Sequence, residues 1–230
     1  MSNLILVDNY LKILQEIGRW KVISYVDLYN SLYLSESYSN FTRKIKKLEK
    51  GGFVKSLLGN NRRKYVHLTE SGCQLSSSNV GLIDEVTLNH DLITTNVVNQ
   101  LTKHKTFLSG MICSREVEGD LIPDGVVFGR KKAIDFKMAI EVELTQKSKR
   151  RVIEKFGQYA KSSEYDYCLY VMNKESIYRS YIRIIKEMSE EVRRRIIFIV
   201  DKNMSPRSFD WTSELCFFSE EGKRFNEIID

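Results

Sequence analysis

The N-terminal part of the chain consists of short apolar stretches with helical spacing, separated by turn residues. Four apolar residues share one helical face near the start of the chain: Leu4, Leu11, Leu14 and Ile17. This spacing predicts a first helix that ends at Gly18. Ser24 is a suitable N-cap and Asp27 stands at the third helical position, so a second helix is predicted from Ser24 to about Leu32.

A third helix is predicted over residues 38–50, because Phe41, Ile45 and Leu48 form an apolar stripe. Its opposite face is polar and strongly basic, with the residues Asn40, Arg43, Lys44, Lys46 and Lys47. Gly51 and Gly52 follow and end the helix. We therefore expect one face of this helix to pack in the core, whereas the opposite face is suited to binding a polyanion.

Two short strands are predicted after the third helix, over residues 53–58 and 65–68. They flank a polar tip over residues 59–64, where Asn and Gly tolerate the backbone conformations of a hairpin. The tip carries Arg62, Arg63 and Lys64. The run His-Leu-Thr-Glu-Ser-Gly that follows opens one more short helix.

This order of elements resembles a winged helix-turn-helix domain over residues 4 to 78. The resemblance implies that the third helix enters a major groove through Asn40, Arg43, Lys44 and Lys47. It also implies that Arg62, Arg63 and Lys64 of the wing contact phosphate. The alternative is a winged helix that is used only for protein contacts, since the fold does not by itself determine a function.

The charge of the chain is unevenly distributed. Residues 1–78 contain 12 Lys and Arg against 6 Asp and Glu, whereas residues 79–230 contain 24 of each, so the whole excess of +6 lies in the first segment. This asymmetry suggests a nucleic-acid-binding module joined to a neutral partner. The alternative, which composition alone does not separate from it, is a basic surface kept for solubility. Ser76, Ser77, Ser78 and Asn79 form the best linker, which predicts domains at 1–78 and 79–230.

The second segment mixes helical and strand patterns. A helix is predicted over residues 84–102, with an apolar stripe that includes Val86, and a bent strand over 107–117. After Pro123-Asp124-Gly125 the pattern predicts a strand at 126–128, a turn at 129–132 and a strand at 137–145. Helices near 149–162 and 177–188 alternate with strands near 165–172 and 196–200, which favours an α/β layer with a mixed sheet.

The strand over residues 137–145 alternates cleanly between apolar and polar positions. Glu141 and Glu143 therefore share one face, about 7 Å apart. A tight hairpin would bring Asp124 beside Glu141. Carboxylate oxygens suit Mg²⁺ or Mn²⁺, so the three acids are candidates for a metal centre. The alternative is an exposed strand face whose acids pair with nearby lysines.

The order helix, three strands, helix, strand resembles the PD-(D/E)XK nuclease core, with Pro123-Asp124 as its first motif and Glu141-x-Glu143 as its second. The resemblance implies a restriction-endonuclease-like domain in which Asp124, Glu141 and the Val142 carbonyl hold Mg²⁺ or Mn²⁺. Glu143 occupies the position that usually holds a lysine. Water activation then falls to the metal, to Glu143, or to a lysine elsewhere such as Lys155 or Lys147.

The whole chain, an α+β protein with these two parts, resembles the replication-relaxation family and MobC-type plasmid mobilisation relaxases. This resemblance implies a metal-dependent endonuclease or nickase that acts on double-stranded DNA at a plasmid or mobile-element origin. Other relaxosome or replication proteins, and a second copy of the chain, are the expected partners. The alternatives are a non-catalytic DNA-binding accessory or replication factor with a degenerate nuclease fold, and a repressor with an effector-binding second domain.

Two further features bear on the compartment. The four cysteines form no CxxC pair, which argues against a disulfide framework and a cysteine-based zinc site. No run approaches the roughly 18 apolar residues of a membrane span, and the first residues lack a signal-peptide pattern. We therefore expect a cytoplasmic protein.

Overall fold

The structure of the protein is a computed structural model. It describes residues 8–32, 35–59, 62–78, 82–113, 121–212, 216–219 and 221–229. The chain is a mixed α+β protein that divides into two compact units, unit 1 over residues 1–95 and unit 2 over residues 96–230.

Unit 1 is a winged helix. Its elements are α1 (Asp8–Trp20), β1 (Val22–Ser24), α2 (Tyr25–Ser31), α3 (Tyr38–Lys50), β2 (Val54–Leu58), β3 (Lys64–Leu68), α4 (Glu70–Ser76) and the first half of α5 (Leu88–Leu101). The three strands form an antiparallel sheet in the order β1-β3-β2. The hairpin of β2 and β3 is the wing, and α2 and α3 are the helix-turn-helix pair.

Serine and threonine N-caps set the starts of these helices. Ser24 accepts a hydrogen bond from the Asp27 amide at 3.1 Å, as the sequence predicts, and Thr69 caps α4 in the same way. The first helix differs from its prediction, because α1 continues through Gly18 to Trp20. Gly18 is buried against Leu68 and Ser78, and a helical glycine is tolerated where neighbours approach this closely.

Gly72 in α4 lies directly against the backbone of Phe53. A Cβ atom at Gly72 would lie 2.0 Å from the backbone oxygen of Phe53. Gly72→Ala is therefore expected to lower the free energy of unfolding by about 3 kcal/mol, although alanine is the better helix former. Gly157, also helical, has nothing within 4 Å of such an atom, so Gly157→Ala is the matched control and should stabilise by roughly 1 kcal/mol. Urea denaturation of both variants tests this; equal effects would contradict it.

The boundary between the two compact units lies within α5, between Thr95 and Asn96. The sequence instead predicts a domain boundary after Ser78. Three contacts tie the first half of α5 to unit 1. Lys21 pairs with Asp91 at 2.9 Å, the Thr95 hydroxyl donates to the Trp20 carbonyl at 3.0 Å, and Leu92 packs with Val22. A polar stretch in the sequence does not by itself set the division, because packing decides which residues belong to which unit.

The helix α5 starts later than predicted, so Val86 does not belong to its apolar stripe. The helix begins at Leu88 rather than at residue 84, and the side chain of Val86 is 89% exposed. The Asp84 carboxylate accepts a hydrogen bond from the Val86 amide at 3.0 Å. This local turn competes with helix formation and holds the first residues out of the helix.

Unit 2 is built on a seven-stranded sheet with the order β10-β9-β8-β7-β6-β5-β4. Its elements after α5 are β4 (Phe107–Ile112), β5 (Gly125–Lys131), β6 (Ile134–Glu143), α6 (Lys149–Lys161), β7 (Tyr167–Met172), α7 (Glu175–Lys186), α8 (Glu190–Arg193), β8 (Ile196–Val200), β9 (Cys216–Phe218), β10 (Glu221–Gly222) and α9 (Phe225–Ile229). β6, β7 and β8 are parallel, and the remaining pairs are antiparallel.

One face of this sheet packs against α6 and α7. The shared core is aromatic, with Phe156, Tyr159, Tyr170, Tyr181 and Phe198 in mutual ring contact. Ala139 of β6 points into this face. Every second residue of a strand shares a face, so Glu141 and Glu143 also lie beside the helices.

The β5–β6 turn lies later than predicted. The strand pairing continues from Gly125 opposite Ile140 to Lys131 opposite Ile134. Lys132 and Ala133 make the turn with φ of 48° and 67°, both in the left-handed region. The sequence offers Gly129 as the obvious turn residue, but a Cβ there would lie 2.2 Å from the Phe136 ring, so that glycine serves packing across the hairpin.

Candidate functional site

The helix α3 presents a continuous basic surface. Its buried side chains Phe41, Ile45 and Leu48 hold it against unit 1. The exposed side chains of the opposite face are Asn40, Arg43, Lys46, Lys47 and Lys50. Three of the four residues predicted for base contacts, Asn40, Arg43 and Lys47, lie on this surface. Lys46 belongs to it as well.

Two of the predicted DNA-contacting residues are held in ion pairs within unit 1. The Lys44 ammonium lies 2.7 Å from a Glu36 carboxylate oxygen, and the Arg63 guanidinium lies 3.0 Å from an Asp27 oxygen. Arg63 thereby ties the wing to α2. We infer that both residues position the basic surface, because both ion pairs are half-buried, whereas an exposed ion pair opens at little cost.

A cleft of about 480 Å³ separates α3 from the wing. Its lining combines aromatic, apolar and basic side chains: Tyr25, Tyr38, Thr42, Lys46, Glu49, Ser56, Leu57, Leu58 and Lys64. Lys64 and Arg62 are exposed at the wing, and Leu58 is 64% exposed beside them. The tip residues Asn60 and Asn61 lie outside the described part of the chain.

In unit 2 the strand pairing brings Asp124 and Glu141 together, as the sequence predicts. Asp124 immediately precedes Gly125, which lies opposite Ile140. One Asp124 oxygen accepts a hydrogen bond from the Val142 amide at 2.8 Å. Both carboxylates are buried, with exposed fractions of 8% and 3%.

Glu141 has two partners on α6. The Lys155 ammonium lies 2.7 Å from its Oε2 atom, and the Tyr159 hydroxyl donates to its Oε1 atom. Lys155 and Tyr159 stand four residues apart on one helical face, so both reach the same carboxylate. The sequence identified Lys155 as a candidate, but the hydrogen bond from Tyr159 becomes visible only when α6 packs on the sheet.

The pKa of Glu141 is raised to about 7: burial is the main cause and the charge of Asp124 adds to it, whereas Lys155 and Tyr159 act in the opposite direction. Burial lowers the pKa of Lys155, but the charge of Glu141 and its hydrogen bond outweigh burial and leave that pKa above its ordinary value. Glu141 therefore titrates near neutral pH, which is unusual for a carboxyl group and typical of functional sites as well as of buried ion pairs.

Glu143 lies on the same face as Glu141 but has different surroundings. It is 8% exposed, and the Lys147 ammonium stands 3.9 Å from one of its oxygens. Its charge also raises the pKa of Tyr181, after burial, which is the main cause. Glu141 and Glu143 therefore share one strand face, as predicted. Each lies near a different cation, Lys155 for Glu141 and Lys147 for Glu143.

As placed, these residues do not fit a divalent-ion centre. Both oxygens of Glu141 already accept hydrogen bonds, and Lys155 supplies the positive charge that a metal ion would bring. Across the described ranges no group of three or more His, Cys, Asp or Glu side chains could hold a metal ion. Binding of Mg²⁺ or Mn²⁺ by Asp124, Glu141 and the Val142 carbonyl stays a prediction.

No protein-family profile and no curated protein matches the chain. Solved structures similar to it include a MarR mutant from E. coli complexed with operator DNA, at 28% identity over 33% of this chain and 54% of that one, with a TM-score of 0.30. The reduced form of E. coli MarR matches at 26% over 43% and 65%, with a TM-score of 0.30. The adhesin competence repressor of Streptococcus pyogenes matches at 27% over 44% and 69%, with a TM-score of 0.29.

The chain thus spans about half to two-thirds of the length of these structures. The winged-helix assignment rests on the element order and strand register of unit 1. In the described part of the chain no helix is both long and apolar enough to cross a bilayer.

Proposed function

We propose that this protein binds double-stranded DNA through unit 1, with α3 in the major groove and the wing on the phosphate backbone. The observation that carries the proposal is the exposed basic face of α3 beside a basic wing. Arg43, Lys46, Lys47 and Lys50 project from one helix face, whose other side is anchored by three fully buried side chains. A rigid helix with this charge distribution suits major-groove binding.

The ion pairs around this surface support the proposal. Lys44 and Arg63 are neutralised by Glu36 and Asp27, whereas Lys46 and Lys47 are exposed on α3 and Arg62 and Lys64 on the wing. A basic surface kept only for solubility would not need internal acids to orient part of it. The arrangement separates residues that position the surface from residues that can reach DNA.

The test is binding of the full chain to duplexes selected from a random library, followed by salt titration of the best sequence. We expect an enriched sequence, and a log–log dependence of affinity on salt with a slope of about −0.9 for each phosphate contact. Failure to enrich any sequence, together with absence of binding at low salt, would contradict the proposal.

A second candidate function is DNA cleavage, as a metal-dependent endonuclease or nickase at an origin-like site. The observation that favours it is the order α5, β4, β5, β6, α6, β7 with β6 parallel to β7, which supports the resemblance to the PD-(D/E)XK core. Lys155 is paired with Glu141, whose neighbour is Asp124. Cleavage through a metal would require Lys155 to leave Glu141. Relaxosome or replication proteins and a second copy of the chain are the partners proposed with this activity.

This second candidate predicts that wild-type protein converts supercoiled plasmid to open circles in the presence of Mg²⁺ or Mn²⁺. Asp124→Ala should abolish nicking, because it removes a carboxylate at the proposed centre, while DNA binding by unit 1 persists. Asp135→Ala is the control, since Asp135 is an exposed acid on the β5–β6 hairpin. If wild type yields no open circles with either metal, the non-catalytic DNA-binding alternative is favoured.

A further inference from the structure

We infer that a groove on α7, at the carboxyl ends of β6 and β7, binds the phosphodiester backbone of DNA and gives unit 2 a contact surface of its own. This inference rests on the proposed DNA-binding function and extends it to a surface that the winged helix does not provide.

The groove has a volume of about 460 Å³ and is lined by Glu175, Ser176, Arg179, Ser180 and Arg183. The loop after β6 reaches this helix, because the Gln146 side-chain amide donates to the Ser180 hydroxyl at 3.0 Å. In sheets with parallel strands, ligands bind preferentially outside the carboxyl ends of those strands. The groove lies at that edge, where Glu143 and Lys147 also meet.

The charges of the groove favour an anion. Arg179 and Arg183 stand four residues apart and are both exposed. Glu175 is the acid of the lining, and it is shared by two cations, since it pairs with Arg179 and, at 2.7 Å, with Lys202. One carboxylate among three basic side chains leaves a local excess of positive charge.

Hydrogen-bond donors accompany these charges. Ser176 and Ser180 bring hydroxyl groups to the same lining. The N-cap residue of α7, Lys174, makes no side-chain capping bond, so no capping side chain covers the amides of the first turn. Phosphate oxygens bind readily to such amides, and guanidinium groups pair with them in two-pronged geometry.

The lining also indicates which phosphate compound it suits. All five residues of the lining are polar or charged, and none of them is an aromatic residue on which a nucleobase could stack. A nucleotide site would need such a surface to hold its base. The backbone of a nucleic acid presents phosphates without requiring base contacts, so DNA backbone is the ligand that the groove fits.

Basic residues continue from the groove onto the start of α6. Lys149, Arg150 and Arg151 are exposed there, and the Lys149 ammonium lies 2.7 Å from Glu187 just beyond α7. The two helices thus present a basic surface on both sides of the loop after β6. Surface ion pairs of this type contribute little stability, so folding alone does not account for so many cations at one edge.

The test compares the full chain with the double variant Arg179→Gln/Arg183→Gln in binding a duplex of arbitrary sequence across a salt series. We expect the salt slope to fall by about 1.8 and the affinity at low salt to drop on the order of tenfold or more, because two phosphate contacts are lost. The control is Arg130→Gln/Lys161→Gln, which removes two exposed positive charges at the other end of the sheet and should leave the slope nearly unchanged.

Three outcomes would overturn the inference. If Arg179→Gln/Arg183→Gln binds like wild type while Arg62→Ala is weakened, the groove is not a DNA contact and the winged-helix proposal stands. If neither variant differs from wild type, both proposals fail. If the groove variant binds DNA like wild type but loses the binding of inorganic phosphate or a free nucleotide that the control variant retains, the groove is a phosphate-compound site rather than a backbone contact.

Discussion

Replacement of Lys155 by Met is expected to lower the free energy of unfolding by about 3 kcal/mol at a pH of about 8. Glu141 is 3% exposed and relies on Lys155 as its cation. Removal of that cation leaves a buried carboxylate beside Asp124 with the Tyr159 hydroxyl as its hydrogen-bond donor on α6. A buried charge that loses its partner costs far more than an exposed one.

The loss of stability in Lys155→Met should depend on pH in a defined direction. Glu141 has a pKa of about 7 in the folded protein and an ordinary value of 4.5, so the folded state binds the proton more tightly. Its contribution to the free energy of unfolding therefore falls as pH rises from about 4.5 to about 7. Without Lys155 the pKa of Glu141 rises further and this fall continues to higher pH. The difference between wild type and Lys155→Met should thus be small near pH 5 and largest above pH 7.

Urea denaturation of both proteins across this pH range measures the effect. Lys161→Met is the matched control, because Lys161 is exposed on the same helix and its loss should have little effect at any pH. A loss of stability in Lys155→Met that is the same at every pH would show that the side chain acts through packing alone.

The double variant Arg43→Ala/Lys47→Ala is expected to reduce affinity for the selected DNA site on the order of hundredfold or more, and to bring it close to the affinity for arbitrary duplex. Both side chains are exposed on the face of α3 that we place in the major groove. The buried stripe that anchors the helix consists of other side chains, so the fold of unit 1 should persist.

Arg62→Ala is the matched comparison for this variant. Arg62 is exposed at the wing, where we expect a contact with phosphate and none with bases. Its loss should weaken binding to all sequences alike and reduce the salt slope by about 0.9. Binding titrations against the selected site and a scrambled duplex separate the two effects. Equal loss of specificity in both variants would contradict the assignment of α3 as the reading helix.

Much of unit 1 could be predicted from residue pattern alone. The stripe of Phe41, Ile45 and Leu48, with a cap before it and glycines after it, specifies the helix Tyr38–Lys50 through local interactions. The wing follows from two short strand patterns around a polar tip. The pattern could not show which of the neighbouring cations are held in ion pairs. Glu36 and Asp27 neutralise Lys44 and Arg63 only after the chain has folded.

In unit 2 the sequence determined that Glu141 and Glu143 share a strand face, since side chains alternate along any β-strand, and it brought Asp124 next to Glu141 through a short hairpin. It could not determine the charge environment of these acids. That depends on the packing of α6, which places Lys155 and Tyr159 against Glu141 and removes it from water. Strand periodicity is local, whereas burial, pKa and ion pairing depend on segments far apart in the chain, and only the tertiary structure decides them.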